Sequence, residues 1–483
     1  MNSRSPIVTI LGHVDHGKTT LLDYIRKSTI AAREHGGITQ KIGAYEVSTS
    51  IKGYKTNKIT FIDTPGHEAF SKLRARGANV ADIAILLIDG KDSLMPQTVE
   101  SISHIKAAGI PYIVAINKID LETANVDKVK NDLLEYEVAV EGKGGTVPVV
   151  PLSAVTGVGV PELLENILFI AEDKKLSFDP KHAAIAFVIE AKKDRRGIVA
   201  SAIIKDGTLK IGDTIYVEDN KAKIKSLIND TGVTISEVFP STPFELLGFT
   251  TMPTVGVLIT TALGTKAEVV VPEEEKKVFD LNSILDSDKP VEKKLSLVIK
   301  CDSHGSLEAT RNALQKNPNI TIILSAVGDI HKSDIFLAKT SKAIVIGFNS
   351  KPDPETKDLA KQEKVIIKTY SIIYELLDEL QEVADLLQEK EEAAKNLKGE
   401  AKIIATFMIE GEKVFGVKLS KGKITDGDEL QVFRADNLIG KCRLVSLKIR
   451  AKKVQEVKKD QEAGMILSTP LDIRVGDVVK CIL

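Results

Sequence analysis

Tryptophan is absent from the 483 residues, aromatic residues make up only 5% of them, and there are three cysteines. So few aromatic faces argue against a broad base-stacking platform for nucleic acid. Cys301, Cys442 and Cys481 lie far apart and form no C-x-x-C pair, so neither a zinc site nor a disulfide framework is suggested. An excess of one charge is lacking too. The 66 Lys+Arg and 67 Asp+Glu leave a net charge of −1, so any RNA-binding face must be a local patch. Long apolar runs are missing: "IAILLI" at 83–88 falls far below the ~18 residues that span a bilayer. The opening "MNSRSPIVTI" is too short and polar before its first strand to be a signal peptide. The expectation is a cytoplasmic chain with no membrane partner.

What is present is an ordinary globular composition, 43% hydrophobic and 28% charged, on a chain long enough for three to four domains. Up to about residue 170, short apolar runs ("IVTILG", "KITFID", "IAILLID", "YIVAIN", "VPVVPLS") alternate with helical stretches at 18–27, 68–77, 97–108, 126–137 and 161–171. That alternation predicts a parallel sheet covered on both faces. From 183 to 270 the texture turns to β-branched runs punctuated by glycine, which reads as an antiparallel barrel. Residues 295–370 return to α/β. Residues 371–398 then run without Gly or Pro, with apolar residues at 372, 373, 376, 377, 380, 383, 386 and 387. This stripe predicts a long helix, either an exposed arm between domains or a packed core helix. The tail repeats a phrase of the second domain: "KDGTLKIGDTIYV" at 205–217 beside "SKGKITDGDELQVF" at 420–433. Two copies of one barrel type are inferred.

Four motifs carry chemistry. "GHVDHGKT" at 12–19 matches G-x-x-x-x-G-K-[ST] between a strand and a helix. There the loop Gly12, His13, Val14, Asp15, His16, Gly17 and the helix start Lys18, Thr19, Thr20 would wrap phosphates with backbone N–H groups. Lys18 would reach the β and γ phosphates, and Thr19 would ligate Mg²⁺. "FIDTPGH" at 61–67 follows, with Asp63 placed to hold the metal and the Gly66 N–H to sense the γ-phosphate. "NKID" at 117–120 selects the base: Asp120 can accept from the ring N–H and amino group of guanine, a pair that adenine lacks. Asn117 can bond the other edge, and the Lys118 stem can cover the ring. In "PLSA" at 151–154, the N–H groups of Ser153 and Ala154 would meet the guanine carbonyl. Each motif ends a strand, where α/β sheets bind ligands. GTP or GDP with Mg²⁺ is the expected ligand.

"GHVDHGKT" with "DTPGH" resembles the translational GTPases, and "GGITQKIGAY" at 36–45 narrows the resemblance to bacterial translation initiation factor two. "RRGIVASAIIKDGTLKIGD", "PSTPFELLGF", "LSLVIKCDSHGSLEA", "SAVGDIHKSDIFLA" and "AIVIGFNSKPD" extend it over nearly the whole chain. The resemblance implies that Thr39 closes over the γ-phosphate and Mg²⁺, that His67 positions the attacking water, and that Asp15 helps hold a monovalent cation. It implies that His13 and His16 shape the loop. The fold it implies is multidomain α/β plus β. A P-loop GTPase domain (1–176) is followed by a β-barrel (180–270), a linker (271–294), an α/β domain (295–370), a connecting helix (371–399) and a C-terminal β-barrel (400–483) that binds initiator tRNA. The long N-terminal region common in bacterial members is expected to be missing.

The C-terminal stretch departs from the family pattern, with Val417 and Ala463 where cysteines are usual and Ile449 where arginine is common. These positions line the formylmethionyl pocket in relatives, which predicts a reshaped pocket or a weaker formyl selectivity, with Lys448, Arg450 and Glu462 still contacting the aminoacyl end. Residues 401–483 carry 16 Lys+Arg against 11 Asp+Glu, a local excess that suits contact with an RNA end. The function implied is a monomeric initiation factor whose GTPase is stimulated by the ribosome, with both subunits and initiator tRNA as partners. Two alternatives stay open: a specialised tRNA-carrying elongation factor, and a nucleotide-gated scaffold with incidental hydrolysis.

Overall fold

The first apolar run forms the strand Ile7–Gly12, in which every residue is buried. A strand buried on both faces needs cover on both sides, and the intervening helices supply it. The computed structural model describes residues 2–28, 39, 40, 42–218, 220–262, 294–409, 412–435, 437–450, 452–468 and 471–482. Its first sheet runs Gly43–Ser48, Lys58–Asp63, Ile7–Gly12, Ile83–Asp89, Tyr112–Asn117, Val149–Pro151. Neighbours are parallel except Gly43–Ser48, which pairs antiparallel with Lys58–Asp63. Leu21, Leu22, Leu163 and Ile167 pack on one face, and Ile102, Ile105, Val129 and Leu133 on the other. The chain places Lys58–Asp63 on one side of Ile7–Gly12 and then crosses to Ile83–Asp89 on the other. That reversal opens a crevice at the C-terminal strand ends, where Gly12, Asp63 and Asn117 lie.

The second helix differs from the sequence expectation of 68–77. His67 caps a short 3-10 turn at Glu68–Phe70, so the α-helix starts later and spans Ser71–Val80.

The next region is all antiparallel. Its eight strands run Asn220–Lys223, Thr214–Val217, Leu258–Thr260, Ile185–Asp194, Gly197–Asp206, Pro243–Leu247, Ser226–Asn229, Thr234–Ile235. They wrap a core that includes Val188, Ile204, Phe244 and Leu246. Among the described residues these ladders do not close on themselves. The sequence-predicted linker, apart from Lys294, and the stretch 263–270 lie outside the described residues.

A four-stranded parallel sheet follows, ordered Ile320–Val327, Leu295–Cys301, Ile344–Phe348, Ile367–Tyr370. Ser303 caps its first helix, His304–Gln315, by accepting from the Ser306 N–H. The helix Lys332–Ser341 was not among the sequence expectations. Its start is marked by a reciprocal cap between His331 and Asp334 rather than by a clear apolar stripe.

The long helix spans Ile373–Lys395. Ile373, Leu376 and Leu380 are buried, whereas Leu386 and Leu387 are exposed. The stripe is thus packed at the start of the helix and exposed further along it. The chain divides into two compact units between Gln381 and Glu382, inside this helix.

The second unit holds a closed barrel. Its strands run Leu397–Ile409, Val478–Ile482, Glu429–Arg434, Asn437–Ile449, Glu462–Leu467, Glu412–Thr425 and back to Leu397–Ile409, all antiparallel. The repeated phrase forms the same turn in both β regions: the Lys210 N–H donates to Asp213 and the Thr425 N–H to Asp428, each at 2.8 Å.

Candidate functional site

A cavity of about 300 Å³ lies at the C-terminal edge of the first sheet. Val14, Asp15, Gly17, Lys18, Thr19 and Thr20 line it from the phosphate loop; Thr39, Gly66, His67 and Lys118 complete the wall. Three motifs far apart in sequence thus meet in one place.

The loop is shaped by close packing. Gly17 caps the helix Lys18–Arg26 at φ 91°, where a side chain would collide with the Asn117 amide. Lys18 turns its amine onto the carbonyls of Gly12 and His13, at 2.9 and 2.5 Å. Burial lowers its pKa to about 8. Gly66 lies directly beneath: a Cβ there would sit 2.6 Å from the Lys18 Nζ and 3.0 Å from the Val14 N. Burial also lowers His13, and pushes His16 down to about 4. Both imidazoles are therefore neutral near pH 7 and act as packing. The His16 Nδ1 accepts from the Asp89 N–H at 3.3 Å.

Thr19 and Thr39 bring their hydroxyls within 2.5 Å of each other, and the Thr39 Oγ1 donates to Asp63 at 3.5 Å. Two hydroxyls and a carboxylate are hard oxygen donors, which suits Mg²⁺. No group of three His, Cys, Asp or Glu side chains among the described residues is placed to hold a metal.

His67 is 9% exposed. Its Nδ1 accepts from the Ala69 N–H at 2.8 Å, and burial, then the Arg74 charge, holds its pKa below the usual histidine value. Arg74 is a residue that the motifs did not reveal. It is 0% exposed. Its Nη1 donates to the carbonyls of Pro65, Gly66 and His67 at 3.0, 3.0 and 2.6 Å, and its Nη2 to Glu100 at 2.6 Å. Burial works to raise Glu100, but hydrogen bonds from His104 and Ser71 and the Arg74 charge bring it down to about 2. The guanidinium thus fixes the turn that carries Gly66 and His67. Gln97 was also missed: its Oε1 accepts from the Val14 N–H at 3.0 Å.

Of the base-reading residues, Lys118 lines this cavity, whereas Asn117, Asp120, Ser153 and Ala154 do not. Asn117 donates to the His16 carbonyl at 2.8 Å and accepts from the Ala154 N–H at 2.9 Å, while the Ser153 N–H donates to the Val158 carbonyl at 3.0 Å. The sequence reading gave these three groups to guanine; the structure gives each a protein partner, as buried polar groups require. Asn117 is thus a brace between two loops. Lys118 has φ 62° and pairs with buried Asp89 at 2.6 Å. Asp120 is exposed.

Residues 3–173 match the family model of the elongation factor Tu GTP binding domain, 183–262 that of elongation factor G domain 2, and 271–381 that of translation-initiation factor 2. Translation initiation factor IF-2 of Halothermothrix orenii is 41% identical over 99% of this chain and 71% of that protein. The chain belongs to the translation initiation factor IF-2 family. The IF-2 proteins of Carboxydothermus hydrogenoformans and Aquifex aeolicus are each 41% identical, and the chain spans 60% and 61% of their lengths. A solved structure of GDP-bound aIF5B from Aeropyrum pernix is 27% identical and covers 99% of this chain and 92% of that one, at a TM-score of 0.48.

In the barrel, two departures from the IF-2 pattern face each other. Val417 pairs with Ala463 across one ladder, and both are buried in the core. Their side chains pack in the barrel core, where a change of volume is felt directly. Ile449 is half-buried against the same core. Lys448, Arg450 and Glu462 are exposed. Lys448 pairs with Gly464, two residues from Glu462 on the same strand face, whereas Arg450 lies past the strand end with φ 48°.

Proposed function

We propose that this chain is a ribosome-stimulated GTPase that positions initiator tRNA and promotes the joining of the two ribosomal subunits. The observation that carries the reading is the convergence of Lys18, Thr19, Thr39, Gly66 and His67 on one cavity. Amides of the loop and of the helix start face the phosphates. Lys18 neutralises the β and γ phosphates, and the Gly66 N–H reads the γ-phosphate. Asp120 accepts the paired donors of guanine. Thr19, Thr39 and Asp63 would hold Mg²⁺, and Asp15 a monovalent cation; Mg²⁺ supplies charge that offsets the phosphate oxygens.

His67, neutral near pH 7, orients the attacking water by hydrogen bonding. Intrinsic turnover is slow, because the Arg74 guanidinium is committed to loop carbonyls and Glu100 rather than to developing phosphate charge. Contact with the ribosome completes the site. The closed barrel, as the tRNA module, meets the aminoacyl end with Lys448, Arg450 and Glu462. The protein acts as a monomer in the cytoplasm. No helix among the described residues is long and apolar enough to cross a membrane.

The test is GTP turnover with and without ribosomes, for the unaltered chain and for His67→Ala. Ribosomes should raise turnover about 100-fold or more, and the substitution should remove most of that gain. Absence of stimulation would contradict the ribosomal role, and full stimulation of His67→Ala would remove His67 from the chemistry.

A further inference from the structure

We propose that Tyr374, in the first turn of the long helix, is a positioning residue that restrains His67, and so ties GTP hydrolysis to the placement of that helix. The inference deepens the GTPase reading above and rests on it.

The His67 and Tyr374 ring centroids lie 4.1 Å apart with planes tilted by 55°. Phe70 meets the same imidazole in a T-shaped contact at 6.0 Å. With its Nδ1 accepting from the Ala69 N–H, the neutral ring carries its proton on Nε2. One rotamer and one tautomer are therefore fixed. A water-orienting imidazole must turn toward the γ-phosphate, and on the way it must give up the Tyr374 face.

Tyr374 itself is 39% exposed, while its helix neighbours Ile373 and Leu376 are 0% exposed. Its place is therefore not explained by the core. Burial, and after it the charge of Asp15 on the phosphate loop, raises the phenol's pKa.

A second contact anchors the same turn. The Gln40 Nε2 donates to the Ser371 carbonyl at 2.8 Å, and its Oε1 accepts from the Ile373 N–H at 3.0 Å. Gln40 follows Thr39, whose hydroxyl meets Thr19. The helix start thus touches the residue after Thr39 and the residue after Gly66, the two segments placed to sense the γ-phosphate. Any force that shifts this turn changes how firmly His67 is held, and the coupling is reciprocal.

The experiment uses the full chain: GTP affinity and single-turnover hydrolysis without ribosomes, for the unaltered protein, Tyr374→Ala, Tyr374→Phe and the double variant Tyr374→Ala/His67→Ala. Tyr374→Ala should hydrolyse GTP roughly 2- to 10-fold faster, the range an aromatic pair is worth, with affinity within about two-fold. Tyr374→Phe should keep the unaltered rate, and the double variant should show no gain. The NMR titration of His67 should move toward 6.5 in Tyr374→Ala. If that variant does not fold, Tyr374→Leu is read the same way. An unchanged or slower rate in the ring-lacking variant, or a gain that survives loss of His67, overturns the proposal. Failure of the unaltered chain to bind GTP would strike the nucleotide reading itself.

Discussion

Gln40 and Ile373 lie 333 positions apart, yet the Ile373 N–H donates to the Gln40 Oε1 at 3.0 Å. Ile373 is 0% exposed, so its N–H has no ready substitute in water. Gln40→Ala should leave it unsatisfied, at a cost of about 1–3 kcal/mol. Amide exchange over residues 371–376 should speed up about 10- to 100-fold. Gln40→Glu keeps the acceptor, loses the donor to Ser371, and should fall between. Unchanged protection in Gln40→Ala would show that the helix start is held by packing alone.

Asn117 joins the His16 carbonyl to the Ala154 N–H. Asn117→Ala should therefore weaken every purine nucleotide that uses these loops. Affinities for GTP and for 7-deaza-GTP, which lacks the N7 acceptor on the edge opposite Asp120, should fall together, by about 10- to 100-fold. Calorimetric titration of the two would check this. A loss confined to GTP would mean that Asn117 reads the base directly.

Arg74 is buried on three carbonyls and one carboxylate. Arg74→Ala leaves Glu100 without its cationic partner and the Pro65–His67 turn without its clamp. The local cost should be about 3 kcal/mol or more, visible as a lower first melting transition and as loss of ribosome-stimulated turnover. Arg74→Lys should recover little of it, because one ammonium cannot reproduce the planar fork. Full rescue by lysine would contradict the clamp.

His16 has an acid dependence with a definite sign. Its folded pKa of about 4 lies below the ordinary 6.5, so the folded loop favours the neutral ring. That contribution is complete above pH 6.5 and is lost as pH falls toward 4, for about 3 kcal/mol in all. The melting transition of the first domain should drop through that window, and His16→Asn should flatten the slope. A wild-type slope in His16→Asn would place the acid sensitivity elsewhere.

Much of the phosphate end was legible because its residues act through type and spacing. Gly17, Lys18, Thr19, Asp63 and Gly66 lie within short motifs at strand ends, and the fold only had to bring those ends together. The braces were not legible. Gln97 and Tyr374 work through contacts with residues distant in sequence, and Arg74 by folding back onto the turn before its own helix; nothing in their local spacing marks them. Asn117 was found, but its motif says nothing of the two loops that it braces. Val417 and Ala463 were visible as departures, but only the barrel register shows that they face each other. The turn at His67 delayed the second helix because a side-chain cap, not an apolar period, decides where that helix begins.

The account stands on a guanine nucleotide held between Lys18 and Asp120. Its most direct measurement is calorimetric titration of the purified chain with GTP, ATP and XTP in the presence of Mg²⁺, repeated on Asp120→Asn. The unaltered chain should bind GTP and give no heat with ATP, and Asp120→Asn should lose GTP and gain XTP, since an amide offers a donor where xanthine carries a carbonyl. Equal heats for GTP and ATP, or an Asp120→Asn chain that still prefers GTP, would contradict it.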